Sequence, residues 1–224
     1  MKKIVLGKSV EGRSIDSFSF GEGSRNFYLI GGVHGSEPEG IRLIEDFLEK
    51  SEWLKSFDFK KHDLRLCCIP KMNPDGCFLK QRKNARAVDL NRNMPTKDWD
   101  PMAHQKKYEP GESAGSELET QILLQAFEEN PPSFILSAHS WIEPMINFNG
   151  PSEAHALEMA KYNQHLVKGD IGYPTPGALG TWAGWERKVP TLTLEIERDL
   201  PLNDVWKIHG LATEKVLDFA IENA

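Results

Sequence analysis

The run Phe27-Tyr28-Leu29-Ile30 stops at Gly31-Gly32 and gives way within a few residues to a helical pattern. This change of period is the strongest constraint on how the chain folds. An apolar run closed by two glycines predicts a buried strand that enters a tight turn. Ser36 is placed to cap, Pro38 suits a first helical turn, and Ile41, Leu43, Ile44, Phe47 and Leu48 recur at helical spacing as far as Lys50. Val33 to Glu37 is then a strand-to-helix loop. The alternation returns twice: Leu64 to Ile69 reads as a second buried strand stopped by Pro70, and Phe134 to Ala138 as a third, preceded by Pro131-Pro132. Strands separated by helices predict a single α/β domain over residues 1–224, with a mixed, mainly parallel β-sheet and helices on both faces. Sites in such folds form at the carboxyl ends of the strands.

The rest of the chain fits this frame. Ser116-Glu117-Leu118-Glu119 has the arrangement of a capping box and opens a helix through Phe127. A further helix is expected over Glu153 to Leu166, and a last one over Asn203 to Phe219. Thr191 to Glu197 alternates strictly, with Leu192, Leu194 and Ile196 on one face and Thr191, Thr193 and Glu195 on the other. Glu195 therefore points away from an apolar face. Residues 71–115 carry several arginines and lysines with little periodicity; a loop region of that length in a compact domain is usually functional or disordered, and the functional reading is favoured.

A net charge of −6 argues against a nucleic-acid surface, and the absence of any run of eighteen apolar residues argues against a membrane span. Only three apolar residues lie between the first lysines and Gly7, too few for a secretory segment, so a cytoplasmic location is expected. No Cys-x-x-Cys pair occurs, and Cys67, Cys68 and Cys77 are read as reduced thiols. His62, His104, His155, His165 and His209 lack ligand-like spacing and are read as surface or structural histidines.

His34 and Glu37 differ: separated by two residues on the loop after the first buried strand, both side chains are able to converge at the sheet edge. A lone His-x-x-Glu is a weak signal. His139, after the third apolar run, lies where a parallel neighbour would deliver a third ligand. Two histidines and a glutamate leave a fourth position open, which is the arrangement of a catalytic zinc site, one ion per chain.

An ordered series of motifs accompanies these residues: Gly7-Lys8-Ser9-Val10-Glu11-Gly12-Arg13, Gly32-Val33-His34-Gly35-Ser36-Glu37, Asn73-Pro74-Asp75-Gly76, Val88-Asp89-Leu90-Asn91-Arg92-Asn93 and Thr193-Leu194-Glu195. In this series the chain resembles the M14 family of zinc metallocarboxypeptidases and, within it, the small bacterial branch of murein peptide amidases. Gly172-Tyr173-Pro174-Thr175-Pro176-Gly177 and Leu179-Gly180-Thr181-Trp182 resemble that branch. His139-Ser140-Trp141 is nearer to ordinary carboxypeptidases, Met94 replaces an aromatic, and Ala87 stands where glycine usually precedes Val88-Asp89.

The resemblance implies roles. Zinc lowers the pKa of a water towards ~7 and polarises a carbonyl, with Glu195 as general base. Arg82 is implied as the carbonyl-polarising arginine, with Arg86 as the competing candidate. Asn91 and Arg92 match the pair that holds a substrate's terminal carboxylate. Tyr173, 22 positions before Glu195, matches the tyrosine that closes over substrate, and Gly180 falls where the family shapes its side-chain pocket. The implied substrate is a small murein peptide cut between γ-D-glutamate and meso-diaminopimelate during wall recycling, with no obligate protein partner. A general carboxypeptidase, an aspartoacylase-like amidohydrolase and a zinc-free module that captures wall peptides are the alternatives.

Overall fold

The computed structural model describes residues 1–102 and 105–223. His104 lies outside the described residues. In chain order the elements are β1 (Lys2–Lys8), β2 (Ser14–Phe20), β3 (Arg25–Ile30), α1 (Pro38–Lys50), α2 (Glu52–Ser56), β4 (Leu64–Ile69) and α3 (Pro74–Leu79), followed by α4 (Leu118–Glu129), β5 (Pro132–Trp141) and β6 (Met145–Asn149). Then come α5 (Glu153–Asn163), β7 (Leu166–Lys168), β8 (Thr191–Glu197) and α6 (Leu202–Glu222). Single 3-10 turns cover Leu90–Arg92 and Lys106–Tyr108, and a widened π turn covers Gly180–Trp185.

The strands form one sheet in the order β1-β2-β4-β3-β5-β8-β6-β7. At its centre β4, β3, β5 and β8 run parallel, while β2 and β6 join antiparallel on either side. The predicted mixed sheet with helices on both faces is therefore present. Successive residues of β3 divide between two cores because side chains on a strand alternate. Phe27 and Leu29 pack with Leu43 and Phe47 of α1 and Val216 of α6. Tyr28 and Ile30 pack instead with Leu123 and Phe127 of α4 and with Trp182. Each such fully buried apolar side chain contributes roughly 1.5–3 kcal/mol. Cys67 and Cys68 divide between the same two faces as free thiols. No helix among the described residues is long and apolar enough to cross a membrane.

Several boundaries differ from the sequence reading. The N-cap of α1 is Glu37 rather than Ser36, and its side chain makes no capping bond because both oxygens are turned towards the two histidines described below. The capping box at Ser116 does not form. Glu117 occupies the cap, Ser116 Oγ donates to Glu117 Oε1, and Glu119 Oε2 accepts from Asn84. Helix α5 ends at Asn163, where Gln164 takes a left-handed conformation with φ 58°, and Leu166–Lys168 forms a short strand instead of a last turn. The third apolar strand continues to Trp141, so His139 lies within it rather than after it. The hairpin β1–β2 was not anticipated. Its outer strand is largely exposed, which leaves no apolar period to read.

Candidate active site

Parallel pairing brings the ends of β3, β5 and β8 to one edge of the sheet, and three residues meet there. His34 is on the loop after β3, Glu37 caps α1, and His139 is near the end of β5. All three are buried, and their ligand atoms lie within 4.8 Å of one another. His34 Nδ1 is 2.9 Å from Glu37 Oε1, His139 Nδ1 is 3.0 Å from Glu37 Oε2, and the two Nδ1 atoms are 3.2 Å apart.

The outer faces of the imidazoles explain what this cluster is built for. His34 Nε2 donates to Asp89 Oδ1 at 3.0 Å, which in a neutral ring leaves Nδ1 with its lone pair facing inward. His139 Nε2 lies 3.0 Å from Ser137 Oγ, a partner that orients its ring in the same sense. Burial and Arg82 oppose a charge on His34, yet Glu37 and Asp89 prevail and raise its pKa, so the spot favours a positive charge. Burial likewise opposes ionisation of Glu37, but His34 and His139 hold its carboxyl well below the usual range. Two inward nitrogens, one ionised carboxylate and outer partners that fix the rings make a donor set that suits a zinc-like divalent cation.

Asp89, quoted in a motif but given no role by the sequence, links this cluster to the next. It is fully buried, its Oδ2 accepts from Arg82 Nε at 2.8 Å, and its Oδ1 also accepts from the backbone of Asn91. Although burial opposes it, His34 and Arg82 keep the Asp89 carboxyl well below the usual carboxylate range. Arg82 also reaches Glu37 Oε1 at 3.3 Å and lines the cleft. Arg86 is exposed and outside the cleft, behind the reversal at Ala87, which has φ 61°. That left-handed turn is the physical reason for a glycine at the equivalent place in the resembling branch.

The triad opens into a cleft of about 220 Å³. On one side are Asn91, whose Oδ1 accepts from the Leu179 backbone at 2.9 Å, and Arg92, which stacks on Tyr108 at 4.7 Å. Tyr173 stacks on the same Tyr108 ring and meets Trp141 edge-on. Burial pushes the Tyr173 hydroxyl up to about 12. The floor is polar: Asn147 and Thr193 are register partners, and Asn149 lies beside Gly180. A Cβ on Gly180 would come within 2.4 Å of Asn149 Oδ1, so only glycine leaves that side chain where it is. Glu195 is the register partner of His139 across β5 and β8. Burial raises its carboxyl pKa, with Glu37 adding to the effect and His139 and His34 opposing it. All nine predicted site residues therefore line one cleft. Sequence reading missed Asp89, Tyr108, Asn147, Asn149 and Arg198. Only Asp89 had a local signal, as a lone acid between Val88 and Leu90.

The remaining motifs are structural supports. Asp75, at the start of α3, is buried and accepts from Ser9 Oγ and Arg13, both at 2.7 Å, and from the Glu11 backbone at 3.0 Å. Next to it the Gly76 backbone lies against Gly35. A Cβ on Gly35 would sit 1.9 Å from the Gly76 carbonyl carbon. Backbone on both sides leaves nothing to yield, so Gly35→Ala is expected to destabilise the protein by roughly 1–3 kcal/mol and to lower metal content with it. Thermal unfolding and metal analysis of the variant check this, and wild-type values for both would reject it.

The profile of the zinc carboxypeptidase family matches residues 1–150 of this chain. Murein peptide amidase A of Vibrio campbellii is 31% identical over 206 residues, which cover 85% of this chain and 77% of the relative. The Escherichia coli K12 protein of the same name is 30% identical over 189 residues, covering 79% of this chain and 74% of its own. Among solved structures, the murein-tripeptide amidase of Escherichia coli O157 superposes with a TM-score of 0.78 at 23% identity, covering 99% of this chain and 92% of that one. Carboxypeptidase A of Helicoverpa armigera gives 0.79 at 19% identity, covering 100% of this chain and 69% of its own.

Proposed function

Because this chain belongs to the zinc carboxypeptidase family, a family of hydrolases, we propose that it cleaves the amide bond between γ-D-glutamate and meso-diaminopimelate in small murein peptides. It does so as one catalytic domain over residues 1–224, with one zinc held by His34, Glu37 and His139, in cytoplasmic recycling of wall peptides. The observation that carries this reading is the convergence in one cleft of the His–Glu–His cluster, a carboxylate at Glu195 and the Asn91–Arg92 pair.

When bound, zinc supplies Lewis acidity towards a water and the scissile carbonyl. The protein's own groups do the rest. Glu195 takes a proton from the attacking water as its oxygen bonds to the carbonyl carbon. It then returns that proton to the amine nitrogen as the C–N bond breaks. Arg82, fixed by Asp89, donates to the oxyanion that develops on the carbonyl. Asn91 and Arg92 hold the terminal carboxylate of the released residue, and Tyr173 closes against the substrate backbone. The amide and hydroxyl groups of Asn147, Asn149 and Thr193 suit a released side chain that carries both an ammonium and a carboxylate, as diaminopimelate does.

The test is incubation with L-alanyl-γ-D-glutamyl-meso-diaminopimelate, followed by assay for free diaminopimelate. Release that stops when a chelator removes the metal and returns with added zinc is the expected outcome. No release, together with rapid trimming of ordinary peptides from the carboxyl end, would replace this substrate with the general carboxypeptidase alternative.

A further inference from the structure

The cleft holds more positive charge than one terminal carboxylate requires. Arg92 is assigned to that carboxylate, and Arg82 is tied to Asp89. Arg198, just beyond β8, is a third guanidinium lining the same cleft and has no part in the chemistry described. One NH2 nitrogen donates to the Ser140 carbonyl at 2.9 Å and lies 3.5 Å from Glu37 Oε1. Its Nε is buried with no hydrogen-bond partner among the described residues. Glu37 is its only carboxylate neighbour among those residues, and that carboxylate is shared with both histidines and Arg82. Over a third of the Arg198 side chain, 37%, stays open.

Position along β8 gives this cation a direction. Thr193 forms the floor with its register partner Asn147, Glu195 stands two residues further along, and Arg198 three beyond that, anchored by its backbone N–H to the Trp141 carbonyl at 2.9 Å. At about 3.3 Å per strand residue, the Asn147–Thr193 pair and Arg198 therefore lie on opposite sides of Glu195 along the direction of β8, and all of them line the cleft. With the released residue on the floor and the scissile bond at Glu195, the acyl residue that is retained lies at the level of Arg198.

An ordinary peptide offers amides at that level, whereas a γ-linked glutamyl residue carries a free α-carboxylate there. We propose that Arg198 binds this α-carboxylate and so selects a γ-glutamyl residue on the retained side of the cut. The assignment rests on the murein-peptide reading above. A guanidinium already held by Ser140 loses little freedom on binding, and its planar fork matches a carboxylate better than a neutral amide.

The experiment compares two substrates, L-alanyl-γ-D-glutamyl-meso-diaminopimelate and the same peptide with the glutamyl α-carboxylate converted to a carboxamide. Wild-type protein should show kcat/KM about 10- to 100-fold lower for the carboxamide, the size of one charge-assisted hydrogen bond. Arg198→Gln should lose a similar factor on the acid and little on the carboxamide, bringing the ratio near one, and Arg198→Lys should restore part of the preference. Equal wild-type rates on the two peptides, or an Arg198→Gln protein that keeps the preference, would overturn the assignment while leaving the murein reading intact. Release from neither peptide would remove the murein reading and this inference with it. Should Arg198→Gln fail to fold, Arg198→Met, which keeps the apolar stem and removes the charge, decides in its place: a preference that survives it overturns the assignment.

Discussion

Glu195→Gln is expected to keep about one zinc per chain and to lose about 10²- to 10⁴-fold in kcat, the usual contribution of a general base. The substitution preserves size and leaves His34, Glu37 and His139 untouched, so metal content separates loss of the base from loss of the site. The amide cannot take the proton of the attacking water. Glu195 sits beside His139 in register yet is absent from the triad's hydrogen bonds, so it is free for that proton. Metal analysis together with turnover of a murein tripeptide measures both quantities. Activity near that of the wild type would remove Glu195 from the role.

Asp89→Asn is expected to weaken zinc binding by about 10- to 100-fold, the typical consequence of losing the group behind a ligating histidine. Asp89 Oδ1 fixes His34 through Nε2, and Oδ2 fixes Arg82 through Nε. An asparagine retains one acceptor, so it fails one of these two partners. Because Arg82 loosens as well, kcat should remain low even when zinc is saturating. A competition titration against a chelator reads the first effect, and turnover at high zinc reads the second. An unchanged zinc affinity would mean that Asp89 is only a fold-stabilising acid.

Much of the fold was legible because strands in this sheet begin and end at chemically distinct residues. Ile30 meets Gly31, Ile69 meets Pro70, and the alternation of Thr191 to Glu197 already assigns Glu195 to the polar face. The His–Glu–His cluster was legible as residues gathered at one sheet edge, although His139 proved to lie inside its strand. What was hidden depends on contacts between distant segments. The cap at Ser116 was lost because Asn93 and Glu117 use its hydroxyl. That Arg82 lines the cleft while Arg86 is exposed follows from the reversal at Ala87, a contact of shape that no local pattern shows. Arg198 has no local signal at all, since its role depends on the end of β8 lying over Ser140.

The grip of Asp75 on Ser9, Glu11 and Arg13 has a practical corollary. Through it the turn of the outermost hairpin is fastened to α3, and α3 presses its Gly76 backbone against Gly35, one residue from His34. The opening dozen residues act as a remote brace for the loop that carries His34. Cutting them back, or crowding them with a bulky fusion, is expected to disturb a centre they never touch.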